Sequence, residues 1–461
     1  MKSASGILIR EGTVVTPEHI LEKADVLIQG EQIQAIGHGL PVPEGGDVYE
    51  AQGLMVLPGV IDAHTHIQLD TGIYKTADTW LQGSRTAVYG GVTTVIDFAT
   101  QFKGQGLSEA LMARLEEAAP AAIDYALHMM VTDLPAGRED ELAELVELGV
   151  TSIKLYTTYR PNYYSDDATL YRLLEAAGFY GMISLVHCEN DALVTAQTQS
   201  LVEAGQRGLR YHGMARPALA EQEATARVLF LAEAARAPVV IAHNSTARTV
   251  ELVNAARAAG QVAFSETAPQ YLLLDNTLYE GSEPWRYILQ PPLRDPLETG
   301  QLWELVANGG VDMLITDHCD YPKARKTAQD DFTQTPGGLP GLETLLPLMV
   351  TYGVAEGRIS WGMLARLLAT NPAQIYGLWP RKGGLIPGAD ADIVLYDPEP
   401  EGIISAETLH TVGGYTPYEG MRVKGRVVAT LRRGQFLLRD GVCHLPRGSG
   451  QFIPRMPVYW Q

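Results

Sequence analysis

The chain has 461 residues, 46% of them hydrophobic, and its 54 acidic side chains against 35 basic ones leave a net charge of -19. That length exceeds one ordinary domain but suits a large barrel with a satellite domain, and the acidic balance argues against a general nucleic-acid binder, which needs clustered positive charge. No stretch approaches the ~18 apolar residues of a membrane span, so no membrane partner is expected. The opening MKSASGILIREG lacks the apolar core of a secretory leader. Cys188, Cys319 and Cys443 are an odd number, far apart and without a CxxC pair, which points to a reducing, cytoplasmic setting.

In chain order, residues 1–55 hold short strand-like runs, GILIREGTVV and KADVLIQGEQIQAIG, between glycines and polar turns. Eight apolar, β-branched runs then recur between residues 54 and 320: LMVLPGVIDAH, VTTVIDFA, DYALHMMV, VTSIKLYTT, MISLVHCE, PVVIAHNS, QVAFSETA and VDMLITDHC. Their continuous apolar character suits strands buried on both faces of a parallel sheet. Segments with helical spacing lie between them, among them DTWLQGSRTAVYG, LSEALMARLEEAA and EDELAELVELG. Several end at glycine, as helices often do. The alternation predicts an α/β fold, a (β/α)8 TIM-type barrel over 56–380. An open doubly wound sheet would alternate in the same way, but no GxGxxG turn follows the first strand. Residues 381–445 resume the short-strand style, so one β-sandwich is expected from 1–55 and 381–445 together. Residues 446–461 are expected to form a tail, packed on its own barrel or, through Tyr459 and Trp460, on a neighbouring subunit.

Catalytic groups of such barrels sit at the C-terminal strand ends. The first run ends in His64 and His66, which a period of two places on one face. Lys154, His187, His243 and Asp317 end four further runs. Each alone has an ordinary explanation: a chance His-x-His, a hydrogen-bonded core histidine, a snorkelling lysine, a helix N-cap. Together, six such groups at the same end of five strands suit a divalent cation, Zn²⁺ first, with Mn²⁺, Co²⁺ or Ni²⁺ as replacements. Lys154 fits worst, because an ammonium repels a cation.

The order HTH, Lys, His, His, Asp resembles the amidohydrolase superfamily, specifically the cyclic amidohydrolases that include dihydropyrimidinase and hydantoinase. The likeness extends through GGVTTVIDF, KLYTTY, HCEN, ETAPQYLLLD, PPLRD, TDHC and GLIPGADADIVLYD, and so covers nearly the whole chain. The resemblance implies two divalent metals, one held by His64, His66 and Asp317 and the other by His187 and His243. Lys154, carboxylated by CO2 to N6-carboxylysine, would bridge them together with a hydroxide. It also implies that Tyr159 binds the developing oxyanion and that Asp317 carries the proton from nucleophile to leaving nitrogen. The substrate would be a small cyclic amide, a 5-substituted hydantoin or a dihydropyrimidine, opened to the N-carbamoyl amino acid by a homodimer or homotetramer.

Within the resemblance the ring is less sharply drawn. Dihydroorotases usually follow HxH with an arginine, where Ile67 and Gln68 stand here. Allantoinases share HCEN but typically lack a tyrosine matching Tyr159, and they remain the alternative. Non-catalytic relatives lose the ligands kept here. The positions expected to grip the ring through backbone groups are Gln290 and Gly337, where many members have Ser and Asn. The segment 70–76 and Tyr163–Tyr164 are expected to shape the pocket or merely to pack. Cys188, Cys319 and His318 adjoin ligands and should point away from them, and His128 and His212 receive no function.

Overall fold

The computed structural model describes residues 6–460. The expectations for residues 1–5, at the start of the N-terminal part of the expected sandwich, and for residue 461, at the end of the tail, lie outside the described residues. The chain opens with β1 (Ile7–Val15), β2 (Ile20–Gln29), β3 (Gln32–Gly37), β4 (Asp47–Glu50) and β5 (Met55–Pro58). Eight strands then alternate with helices: β6 (Val60–Asp62), β7 (Val92–Thr100), β8 (Asp124–Met130), β9 (Ser152–Tyr156), β10 (Ile183–His187), β11 (Val239–Ile241), β12 (Ala263–Thr267) and β13 (Met313–Leu314). They pair in parallel and in chain order. A parallel bridge between Thr65 and His318, with the His66 N–H donating to the His318 carbonyl at 2.7 Å, nearly closes the sheet into a barrel. Burial on both faces explains the unbroken apolar runs: every residue of β8, β9 and β10 is buried.

β14 (Ile393–Ile403), β15 (Arg422–Arg432), β16 (Gln435–Arg439) and β17 (Val442–Cys443) return to the first strands. The result is one nine-stranded sheet in the order β17-β16-β15-β14-β5-β1-β2-β3, with β4 on β1. It has its own core of Ile9, Val26, Val56, Ile393 and Leu431. The run LMVLPGVIDAH, read as one barrel strand, is two: β5 pairs with β1 and β14 in the terminal sheet, and β6 starts the barrel. Gly59 makes the handover. Its N–H donates to the Asp392 carbonyl at 2.8 Å, and a Cβ there would lie 2.3 Å from Thr93 Oγ1.

Buried ion pairs tie the two sheets together. Lys382 Nζ lies 2.8 Å from Asp124, 3.2 Å from Asp390 and 2.6 Å from Asp392, and Arg433 reaches Asp124 at 3.0 Å. The tail packs on its own barrel. Tyr125 and Phe452 form a parallel bridge, the Arg455 guanidinium is buried against Ser152 Oγ at 2.8 Å, and Trp460 sits 4.8 Å from Phe264 between ring centroids. Among the described residues no helix is long and apolar enough to cross a membrane.

Candidate metal centre

Strand geometry explains only part of how the site is aimed. Lys154 lies within β9 and His187 ends β10, so their side chains are directed by the pleat. His243 and Asp317 lie beyond the ends of β11 and β13, and Tyr159 lies beyond β9. Their φ angles are 32°, 52° and 74°, in the left-handed region that residues with a Cβ rarely adopt. Such strain clusters where a fold holds a functional group in place.

The predicted ligands converge. His66 Nε2 lies 3.1 Å and His64 Nε2 3.4 Å from Asp317 Oδ1, and Lys154 Nζ is 3.5 Å from His64 Nε2. On the other side His187 Nδ1 and His243 Nε2 face each other at 3.0 Å. Carboxylates behind the rings set the tautomers. Glu266 takes the Nδ1 proton of His64, and Glu189 takes the Nε2 proton of His187 at 2.7 Å. The opposite nitrogens are left with lone pairs turned toward the centre. Burial lowers the basicity of His64, His187 and His243, which keeps these rings neutral. Burial also lowers the Lys154 amine to about 8, against the pull of Glu266 and Asp317. Neutral imidazoles, a carboxylate and an easily deprotonated amine packed this closely suit divalent cations rather than one another. The residues present therefore fit a binuclear centre.

Sequence reasoning did not single out the supporting carboxylates. Glu266 Oε1 also accepts from the His243 N–H at 3.3 Å, so one carboxylate serves both halves of the cluster. Burial pushes its carboxyl up to about 8. Glu189 is buried too, yet Arg216 and His187 hold it down at about 2. The available signal was a glutamate in each of two apolar runs, FSET and VHCEN.

All nine predicted site residues line one cavity of about 540 Å3. The Tyr159 hydroxyl donates to Gln290 Oε1 at 3.0 Å, and Gly337 lies against the Gln290 side chain. Thr71, Ile73, Tyr74 and Tyr163 join the wall, as their positions suggested. Tyr164 does not, and stacks on Arg160 instead. His318 turns to Asp78 at 3.1 Å. Cys188 is buried away from the cavity, but Cys319 lines it, because beyond β13 the chain no longer alternates. His128 is buried against Ser152 and the Ala63 carbonyl, whereas His212 reaches the cavity wall while bonded to the Leu289 carbonyl at 2.7 Å.

The family model described as the amidohydrolase family matches residues 55–437. The chain is 38% identical to the D-hydantoinase of Geobacillus stearothermophilus over 454 residues, covering 97% of this chain and 96% of that protein. It is 36% identical to the D-phenylhydantoinase of Escherichia coli (strain K12 / DH10B), covering 98% of each. The crystal structure of dihydropyrimidinase from Brevibacillus agri NCHU1002 superposes with a TM-score of 0.96 at 36% identity, covering 99% of this chain and 100% of that one. Likeness of this extent, running through the barrel and the terminal sheet alike, shows that the chain belongs to the amidohydrolase family.

Proposed function

We propose that the protein hydrolyses a ring C–N bond of a cyclic diamide, a 5-substituted hydantoin or a dihydropyrimidine, releasing the N-carbamoyl amino acid. The observation that carries this reading is the meeting of His64, His66, Lys154, His187, His243 and Asp317 with Tyr159 in a single cavity. The names of the relatives, D-hydantoinase and dihydropyrimidinase, supply the ring class. His64, His66 and Asp317 would hold one cation and His187 and His243 the other, with Zn²⁺ favoured by the imidazole-rich donor set. Lys154 would help hold them as N6-carboxylysine: its amine nitrogen would bond to the carbon of CO2 and a proton would leave, giving an anionic carbamate in place of a cation-repelling ammonium. The buried, weakly basic amine supports that chemistry.

Two bound divalent cations would supply hydroxide near neutrality and polarise the amide carbonyl. The chain's own groups do the rest. The Tyr159 O–H donates to the carbonyl oxygen as it gains charge. Asp317 accepts the nucleophile's proton and delivers it to the ring nitrogen as the C–N bond breaks. Glu266 and Glu189 fix the rings of His64 and His187 so that their lone pairs stay turned inward. We further read the protein as a cytoplasmic homodimer or homotetramer. The three separate thiols support the compartment, and light scattering of the purified protein measures the assembly.

The test is ring opening by protein reconstituted with Zn²⁺ or Mn²⁺ in bicarbonate, with 5-phenylhydantoin, dihydrouracil, allantoin and dihydroorotate compared side by side. Dominant rates on the hydantoin or dihydrouracil are expected. A dominant rate on allantoin would move the protein to the alternative branch, and no turnover with two metals bound would refute the ring assignment.

A further inference from the structure

Gln290 and Gly337 form one device. A Cβ on Gly337 would lie 2.9 Å from Gln290 Cδ, 3.1 Å from Oε1 and 3.2 Å from Cγ. The long side chain at 290 therefore lies across the bare backbone at 337, and any larger residue at 337 would displace it. In this position the carboxamide borders the cavity, with Oε1 accepting the single proton of Tyr159. Among the described residues no protein acceptor meets the two N–H groups of Nε2, which are left for whatever enters the cavity.

With the cavity free of substrate, the Tyr159 proton is therefore directed at Gln290. A tyrosine hydroxyl has one proton to donate. While Gln290 Oε1 holds it, Tyr159 cannot donate to a carbonyl under attack. Rotation of the O–H about its C–O bond moves that proton to a bound carbonyl and leaves Oε1 open to a donor from the substrate. A cyclic imide carries the matching pair, an N–H beside a C=O, which is the complement of a primary carboxamide.

We propose that the Gln290 side chain is the specificity-determining reader of the ring imide. Its Oε1 accepts the ring N–H and its Nε2 donates to the adjacent carbonyl, while the Tyr159 hydroxyl turns to the carbonyl being attacked. This rests on the ring-opening reading above and narrows it to rings with an unsubstituted imide nitrogen. It also assigns to a side chain the contact expected from backbone groups.

The test compares 5-phenylhydantoin with its N3-methyl derivative, in wild type and in Gln290→Met, which keeps the volume and removes both hydrogen-bonding groups. Binding is read by calorimetry on chelator-treated protein, and kcat and KM are read on the metal-loaded enzyme. In wild type the methyl group is expected to weaken binding about 10- to 100-fold, the scale of two hydrogen bonds lost at a site built for them. In Gln290→Met the gap is expected to collapse to about threefold, chiefly because the unsubstituted ring binds less well. Gly337→Ala, which pushes the carboxamide aside without removing it, should narrow the gap in the same direction and stands in if Gln290→Met fails to fold. A full methyl penalty persisting in both variants would overturn the proposal while leaving ring opening intact. Wild type that neither binds nor opens either hydantoin would overturn both.

Discussion

Glu266→Gln tests the metal centre at the residue most hidden from sequence reasoning. The substitution preserves shape but removes the charge that orients His64 and lies beside the His243 N–H. Loss of such a support lowers metal affinity about 10- to 100-fold, or about 1.4–2.7 kcal/mol. The pH dependence is more discriminating. Burial pushes the Glu266 carboxyl up to about 8, so in the metal-free protein it is protonated at neutral pH and must lose that proton when a dication binds nearby. Its contribution therefore strengthens metal binding as pH rises, roughly tenfold per pH unit between about 6 and 8. Glutamine has no such proton. The variant should bind Zn²⁺ about 10- to 100-fold more weakly at pH 8 and close to wild type at pH 6, where proton competition costs wild type about 100-fold. Competition against a chromophoric chelator at pH 6, 7 and 8 measures both affinities. A gap of constant size across that range, or no gap at pH 8, would refute the reasoning.

Lys154→Ala should leave a protein that folds but binds its second metal poorly and has lost nearly all turnover, while wild type should show a carbamate carbon by 13C NMR in labelled bicarbonate, about one per chain. Tyr159→Phe should lower kcat about 10²- to 10³-fold with little change in KM, the signature of a donor used only in the transition state. Lys382→Met leaves the buried Asp392 without its cation, while Asp124 keeps Arg433 and Asp390 keeps Arg381, and should destabilise the fold by about 3–5 kcal/mol in denaturant unfolding, with Asp392→Asn on the same background recovering most of it. Burial raises Asp62 to about 7 as well as Glu266 to about 8, from ordinary values of 3.8 and 4.5. Both are protonated in the metal-free fold at pH values where the unfolded chain has lost their protons. Their contribution is thus complete below about pH 4 and is lost as pH rises through about 8. The buried neutral rings of His64, His187 and His243 act in the opposite sense below about pH 6.5, so the contribution is read by difference: chelated wild type should lose thermal stability relative to chelated Asp62→Asn as pH rises from about 4 to 8.

The barrel was legible because strands buried on both faces must be apolar throughout, and β7, β8 and β10 follow the sequence runs closely. His64 and His66 were legible from their spacing, and Lys154 and His187 from their places in strands. His243 and Asp317 were read at the ends of apolar runs as well, and the roles of all six came from the family motif; alternation ends before either of these two, and left-handed backbone aims both. The same departure from the pleat brought Cys319 into the cavity. The split of LMVLPGVIDAH was invisible because both halves are buried and apolar; what divides them is the close approach of Gly59 to Thr93 and Asp392, some 30 and 330 residues away. Glu266 and Glu189 were visible as residues but not as roles, since a buried carboxylate acquires meaning from the imidazole it meets.

The terminal sheet also imposes an order of events on synthesis. β5 pairs with β14, joining Met55–Pro58 to residues 393–396. At ~5–20 residues per second the partner strand leaves the ribosome roughly 20–70 s after β5. Throughout that interval the strands nearest the N-terminus present an unpaired edge, the kind of surface on which nascent chains aggregate. Assembly of this sheet is therefore a late step, and a polysome stalled before residue 393 would display β5 as a natural chaperone client.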